Sequence, residues 1–296
     1  MRKLSAIVLV LALCLALAAC GREEAPPSKP TKPQAQTLPQ HTAPRNPLAE
    51  QVIFEEKGIR ITVKGMEEDT MTGTEIRVLV ENGTDQNIAF SGDLFVVNGI
   101  TVPGYLYAQA AAGTKTNDTI ELYTDVLKAS GITTVGTLRG YDARVIDTDT
   151  YETLAKVPLE LTTTHAGDGS FSYDDSGVEL FQGEGITVIA QVVQEEFYGK
   201  TARFLVKNGT GRDIIVEAEH VSVNGYTLDA WLYDTVVADT VRYCHLDLFE
   251  TGLAENGIDS IEAISFKLNF LDAHTYETIA QSEQLSVTVK GEEESE

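Results

Sequence analysis

The chain has 296 residues, of which 45 are acidic and 22 are Lys or Arg, so its formal net charge at pH 7 is −23. A surface this acidic is repelled by phosphate groups, which argues against a nucleic-acid partner and favours neutral or basic ones. The length suits about two domains.

The N-terminus has the features of an export signal. An apolar run over residues 4–17 follows two basic residues and, at roughly 14 residues, is shorter than the ~20 that a membrane-spanning helix needs. The run ends in the segment Leu17-Ala18-Ala19-Cys20-Gly21. This segment resembles the lipobox of bacterial lipoproteins, whereas an ordinary signal peptide would have a small residue three positions before the cut. The resemblance implies that residues 1–19 are removed and that lipid on Cys20 anchors the chain to the extracellular face of a bacterial cell membrane.

Residues 20–51 follow the signal and hold seven of the nine prolines of the chain. Such a segment, with few aliphatic residues and no periodicity, cannot bury a core and favours extended conformations. We predict a disordered tether that reaches ~30 Å as a coil and up to ~100 Å when fully extended.

Cysteine usage limits the covalent chemistry of the mature protein. Cys14 lies in the signal and Cys20 would carry lipid, which leaves Cys244 and no partner for an intramolecular disulfide. An exported chain without disulfides fits a Gram-positive envelope better than a strongly oxidising periplasm. Because Cys244 shares strand parity with Leu246 and Leu248, we predict a buried core residue rather than a reactive thiol.

The rest of the chain is a tandem repeat. We predict two copies of one module at 52–164 and 178–290, joined by a Gly-, Ser- and Asp-rich linker at 165–177 and followed by an acidic tail at 291–296. The matching segments are 80–84 and 206–210, 97–99 and 223–225, 105–107 and 231–233, and 151–155 and 276–280.

Each copy has the alternation of antiparallel strands with one buried face. Ile76, Val78 and Val80 alternate with charged residues, and the second copy repeats the pattern. Asn98-Gly99 and Asn224-Gly225 predict type I′ hairpins, because that turn needs two residues with positive φ.

A short helix is predicted in each copy, at 125–130 and 250–255, in front of a glycine suited to the left-handed position. About seven short strands with one helical turn in each copy predict an all-β fold of two tandem immunoglobulin-like antiparallel β-sandwiches after the tether.

Both copies resemble the immunoglobulin-like domains of lipoproteins from Gram-positive anaerobic bacteria. The resemblance lies in the Asn-Gly hairpins at 96–99 and 222–225 and in the closing Asp-x-x-Thr-Tyr-Glu-Thr motif at 147–153 and 272–278. It implies a role in binding or support at the cell surface and supplies no catalytic residues and no cofactor.

The histidines and acids offer little for catalysis or metal binding. The sequence has no His-x-x-x-His or Cys-x-x-Cys spacing, which argues against a transition-metal site. An enzyme would need a pocket that joins His220, His245 and His274 to nearby acids. Asp147 and Asp149 are weak candidates for calcium, because a site needs six to eight converging oxygens; the alternative is that they are solvated acids of a turn.

Two aromatic strips are the candidate partner-binding residues. Tyr105 and Tyr107 share one strand face, Trp231 and Tyr233 share the equivalent face of the second copy, and aliphatic residues alternate with them. If the aromatic side chains point outward, they can stack on sugars or anchor a protein partner. The alternative is that they fill the core and the aliphatic residues face a loop or the other module.

The sequence therefore predicts a membrane-anchored extracellular lipoprotein that acts as a non-catalytic binding or adhesion module for a protein or glycan partner. The alternative is a structural spacer or assembly subunit of a cell-envelope complex, and the third possibility is an enzyme. Exposure of the four aromatic residues would favour binding, whereas a spacer predicts a charged surface without patches.

Overall fold

A computed structural model gives the positions of residues 46–289, except residues 69, 72, 168–171 and 197–198. The predicted signal peptide, Cys20, most of the predicted tether and the acidic tail lie outside the described residues. Within those ranges, no helix has the length and apolar character needed to cross a membrane.

Two modules follow each other along the chain. The described elements of the first are β1 (Gln51–Glu56), β2 (Ile59–Glu67), β3 (Gly73–Asn82), β4 (Ile88–Val97), β5 (Ile100–Ala110), β6 (Lys115–Tyr123), α1 (Thr124–Ala129), β7 (Thr137–Tyr141), β8 (Arg144–Asp147), β9 (Thr153–Lys156) and β10 (Glu160–Thr162). Those of the second are β11 (Val178–Gly183), β12 (Ile186–Glu196), β13 (Gly199–Asn208), β14 (Ile214–Val223), β15 (Tyr226–Thr227), β16 (Ala230–Trp231), β17 (Tyr233–Val236), β18 (Thr240–Phe249), α2 (Glu250–Glu255), β19 (Ala263–Asp272), β20 (Thr278–Gln281) and β21 (Leu285–Thr288).

Each module is a sandwich of two sheets whose strands pair antiparallel. In the first, β1, β2, β3 and β6 form one sheet, while β4 pairs with β5 on one side and with β7 and β8 on the other. In the second, β11, β12, β13 and β18 form one sheet, and β14 pairs with β15, β17 and β19 in the other. These sheets confirm the all-β prediction. Strands with one apolar face bury it by packing against a second sheet, and this explains the sandwich.

The predicted cores and turns are also confirmed. Ile76, Val78 and Val80 are buried, and Cys244 lies fully buried in the core of the second module, where burial raises the pKa of its thiol well above the usual value. Both Asn-Gly turns have positive φ at both residues, 53° and 83° at Asn98-Gly99. The two helices form within one residue of their predicted bounds.

The strand that carries each aromatic strip passes between the two sheets of its module. β5 pairs with β4 along most of its length but meets β6 where Tyr105 lies opposite Glu121. In the second module the same stretch is divided: β15 and β17 pair with β14, whereas β16 pairs with β18. In both modules the aromatic residues therefore lie where this stretch of chain changes its pairing from one sheet to the other.

The two modules are in direct contact through β5 and β18. Val241 pairs with Ile100 in a parallel bridge, and the Oγ1 atoms of Thr101 and Thr240 are hydrogen-bonded at 2.7 Å. A small apolar cluster lies beside this contact, and its buried members are Leu94, Val96 and Val237. Both modules belong to one compact unit of the chain.

Segments at the edges of the modules are packed as well. Leu48, within the predicted tether, is buried in the first core, and the Oδ1 atom of Asn46 accepts hydrogen bonds from the backbone N–H groups of Leu48 and Met66. At the end of the predicted linker, the backbone N–H of Asp174 donates to the hydroxyl of Tyr243 at 2.9 Å.

Candidate functional site

The aromatic strips point outward from both modules. Tyr105 is 50% exposed, Trp231 59% and Tyr233 42%, while Tyr107 is half-buried. The aliphatic residues that alternate with them are buried, namely Val102, Leu106, Leu228 and Leu232. The alternative arrangement, with aromatic side chains in the core, is therefore ruled out for these four residues.

The two strips meet at one cleft between the modules. Tyr105 and Tyr107 of the first module and Tyr233 of the second line the same cavity, whose volume is about 900 Å³. Trp231 stands beside this cleft, with its ring centroid 6.0 Å from that of Tyr233. Pro103 and Tyr141 complete the ring-bearing part of the wall. A volume of this size lies within the range of small-molecule sites.

Two irregularities in the first module shape the cleft. The pairing of β4 with β5 shifts register between Gly92 and Leu94, and Asp142, between β7 and β8, has a φ of 48°. All three residues line the cavity. Bulges bend a strand and redirect its side chains, and they occur often beside binding sites.

A fixed ion pair lies deep in the second module's side of the cleft. Arg242 Nη2 is 2.5 Å from Asp234 Oδ1, and the side chains are only 13% and 17% exposed. Arg242 Nη1 also donates to the carbonyl oxygen of Thr235 at 2.7 Å, and the backbone N–H of His245 donates to Asp234 Oδ2 at 3.4 Å. These contacts hold both charged groups in one position, because each is tied to the backbone as well as to its partner.

The first module contributes a second set of paired charges. Asp142 forms ion pairs with Arg144 and with Lys156, the latter at 3.3 Å, and these groups are more exposed than the Arg242–Asp234 pair. Asp93 adds a carboxylate at the mouth of the cleft. The wall therefore presents charged groups of both signs, most of them paired.

Tyr141 separates this cleft from a smaller cavity of about 400 Å³. On that side its ring stacks on His274 with 6.5 Å between the ring centroids, and His274 Nε2 is 3.1 Å from Asp213 Oδ2. Burial, helped by the nearby carboxylate of Asp213, raises the pKa of Tyr141 to about 12. Its phenol therefore stays protonated at neutral pH.

The three histidines of the second module have separate surroundings. His274 lies against Tyr141, His220 is exposed at the bulge of β14 with a φ of 52°, and His245 is half-buried on β18. Burial lowers the pKa of His245, although the carboxylates of Asp234 and Asp247 raise it.

The calcium candidates take part in turn formation. Asp147 is buried, and its Oδ1 atom accepts the backbone N–H groups of Asp149 and Thr150 at 2.8 and 2.9 Å, while Gln86 Nε2 donates to Oδ2 at 3.1 Å. The backbone hydrogen bonds lower the pKa of Asp147. The expectation of a solvated acid is wrong for Asp147, because donors of the protein replace water around it. Asp272 makes the equivalent turn. The described ranges contain no group of three or more His, Cys, Asp or Glu placed to hold a metal ion.

Sequence reasoning missed the charged wall and Tyr141. Arg242 and Asp234 lie on β18 and β17, which follow each other in the chain but belong to different sheets, so no sequence pattern indicated that they pair. Tyr141 was missed because its surroundings depend on the backbone irregularity at Asp142 and on the contact with the second module.

Comparison with known proteins adds no assignment. No protein-family model matches the chain, and no curated protein sequence matches it significantly. The resemblance to immunoglobulin-like domains of lipoproteins stays a prediction.

Proposed function

We propose that this protein is a lipid-anchored, extracellular, non-catalytic binding protein whose binding site is the cleft between its two modules. One observation carries the proposal: Tyr105, Tyr107 and Tyr233, which come from both modules, line the same cavity of about 900 Å³. Tyrosine and tryptophan supply a large contact area with few rotatable bonds, so exposed groups of them are typical of recognition surfaces.

Binding accounts for the cleft better than a passive spacer does. A spacer needs no group of exposed rings at one place, and such a group is a liability for solubility unless a partner covers it. The paired charges of the wall support the same view, because fixed donors and acceptors lose little freedom when a ligand binds.

Binding without catalysis is also the better account of the polar groups. The deepest carboxylate of the cleft, Asp234, is tied to Arg242. His274 contacts Asp213 on the far side of Tyr141, in the smaller cavity. A general acid or base must reach a substrate proton, and these contacts direct both groups toward partners in the protein.

The anchor is tested by the intact mass of the protein purified from membranes. We expect a chain that lacks residues 1–19 and carries acyl groups on Cys20. A water-soluble form that starts at another residue, or a membrane form that retains the signal, contradicts the proposed anchor.

The binding site is tested by photo-crosslinking in cells that carry the anchored protein. A benzophenone amino acid replaces Tyr107, which lines the cleft, or Tyr226, which is 52% exposed on the β14–β15 hairpin and is not part of the cavity wall. We expect adducts from position 107 that are absent from position 226 and disappear when Tyr105→Ala and Tyr233→Ala are added. Equal adducts at both positions, or adducts that survive the double substitution, rule out the cleft as the site.

A further inference from the structure

We infer that the ligand of the inter-module cleft is a neutral carbohydrate chain. The inference rests on the proposed function, because it names the chemical class that the same cleft would recognise. Three properties of the wall lead to it: the depth of its polar groups, their hydrogen-bonding geometry and their charge balance.

The order of burial in the cleft is the reverse of that in a protein–protein interface. Protein interfaces have an apolar centre and a polar rim. Here the charged side chains of Arg242 and Asp234 are 13% and 17% exposed, whereas the rings of Tyr105 and Tyr233 are much more open to solvent. Leu94 and Leu106 also reach the wall, but both are buried members of the apolar clusters. Aromatic rings above polar groups suit a ligand with apolar faces and polar edges, and a pyranose ring has this form.

The polar groups offer donors and acceptors side by side. The guanidinium of Arg242 lies against the carboxylate of Asp234, and Thr235 and Ser91 add hydroxyl groups to the same wall. A guanidinium has five N–H donors and a carboxylate about four acceptor positions, so the ion pair and its backbone contacts leave some of them for a ligand. Neighbouring sugar hydroxyls each donate and accept, so they match a wall that presents both kinds of group at fixed positions. The negative faces of tyrosine rings attract the C–H groups of a sugar.

The charge balance disfavours acidic ligands. Among the residues that line the cleft, Arg242 pairs with Asp234 and Arg144 pairs with Asp142, and the exposed carboxylate of Asp93 is left without an ion-pair partner. The chain as a whole has a formal charge of −23, so a polyanionic glycan is repelled before it reaches the cleft. A neutral glycan meets no such repulsion, and the oligolysine probe below tests a basic ligand in its place.

The chain contains its own reporter of ligand binding. Trp231 is the single tryptophan and its ring lies 6.0 Å from that of Tyr233, so its emission responds to a ligand at this edge of the cleft. The purified full-length protein is screened on an array of neutral glycans, and each oligosaccharide that binds is then titrated by calorimetry and by tryptophan emission. A polygalacturonate and an oligolysine serve as the acidic and basic probes.

We expect at least one neutral oligosaccharide to bind saturably and to change Trp231 emission, and neither charged probe to bind at the cleft. Tyr105→Ala and Tyr233→Ala should each weaken binding by about tenfold or more, because a ring that anchors a ligand contributes over ~1.4 kcal/mol. Tyr226→Ala is the matched control, because Tyr226 is 52% exposed and Tyr105 50%. This control should bind like the parent protein.

Three results overturn the inference. Either no neutral glycan binds, or a neutral glycan binds the two tyrosine variants as well as the parent protein, or a charged probe is the only ligand whose binding the two substitutions weaken. The photo-adducts at position 107 then decide the proposed function separately. A peptide adduct that depends on Tyr105 and Tyr233 would show that the cleft is a binding site whose ligand is a protein and not a sugar. The absence of any such adduct, together with no glycan binding, removes both proposals.

Discussion

Asn82 explains why the Asn-Gly-Thr motif occurs in both modules. Its side chain is buried, and Nδ2 lies 2.8 Å from the carbonyl oxygen of Gln86 and 3.0 Å from those of Ala110 and Ala111. Its Oδ1 atom accepts the backbone N–H and the hydroxyl of Thr84. Asn208 makes the same set of contacts in the second module. The motif therefore locks two loops together, which is a structural role and not a binding role.

Replacing this asparagine should destabilise the fold. In Asn82→Ala the buried carbonyl group of Ala110 and the partly buried one of Ala111 lose their donor, which we expect to lower the free energy of unfolding by about 1–3 kcal/mol. Urea unfolding measures the change. Asn117→Ala, at an exposed position of β6, is the control and should stay within about 0.5 kcal/mol of the parent protein. Equal losses in the two variants would contradict the role given to Asn82.

His245 makes stability depend on pH. Because burial lowers its pKa below the ordinary 6.5, the unfolded chain takes up a proton at pH values where the folded chain does not. The contribution of His245 to the free energy of unfolding is therefore fully present above its ordinary pKa of 6.5. It is lost as the pH falls from 6.5 toward the lower pKa of the folded state. The carboxylates with lowered pKa, such as Asp147 and Asp272, lose their contribution only below their ordinary 3.8.

We expect His245→Gln to flatten the pH dependence of the unfolding free energy between about pH 7 and pH 5, because the group whose pKa is lowered by burial is then absent. Urea unfolding at several pH values in this window provides the measurement. His220→Asn, at an exposed position, is the control and should keep the slope of the parent protein. If the slope of the unfolding free energy against pH is unchanged in His245→Gln, a group other than His245 causes the pH dependence.

At the level of elements, both helices end in the same way. After α1, the backbone N–H of Gly131 donates to the carbonyl oxygen of Lys128, and that of Ile132 donates to Leu127 at 2.8 Å. This is the Schellman pattern, and Gly257 and Ile258 repeat it after α2. The pattern needs a left-handed residue, and Gly131 has a φ of 70°.

This helix end can be tested without steric complications. A Cβ atom added at Gly131 would have no neighbour within 4 Å, and the same is true at Gly167, where φ is not positive. We expect Gly131→Ala to lower the free energy of unfolding by about 1–2 kcal/mol, because only the backbone conformation opposes a side chain there. Gly167→Ala should be neutral or slightly stabilising. Thermal unfolding of the two variants distinguishes the effects, and equal melting temperatures would refute the explanation.

At the scale of the whole molecule, the contact between the two modules determines the shape of the cleft. Tyr243, Val241 and Leu205 of the second module are buried with the core of the first. Val237 lies in the small apolar cluster with Leu94 and Val96. Since the cleft lies beside this contact, its shape depends on the two modules holding one arrangement.

We expect the parent protein to unfold in a single calorimetric transition, because separating the modules exposes apolar surface that both share. Val237→Asp places an unpaired charge in this contact and should divide the transition into two. The control is Val178→Asp, at a position that is 64% exposed on β11. Two transitions in the parent protein, or one transition in Val237→Asp, would contradict the coupling.

Local order followed directly from the sequence. Alternation predicted which residues of β3 are buried, Asn-Gly pairs predicted both hairpins, and glycines predicted the ends of α1 and α2. It also predicted that Cys244 is buried. These features are set by dihedral preferences and by a period of two, which act between residues near each other in the chain.

Only the tertiary structure decided the site. Two opposite arrangements of the aromatic strips fitted the same alternation, and only the packed sandwich shows that the aliphatic side chains face the core. The meeting of Tyr105 with Tyr233, and the placement of Arg242 and Asp234 behind them, depends on the contact between the modules. Such contacts join residues that are far apart in the chain. They depend on how whole sheets and modules pack against each other, and the pattern of a single strand contains no information about that packing.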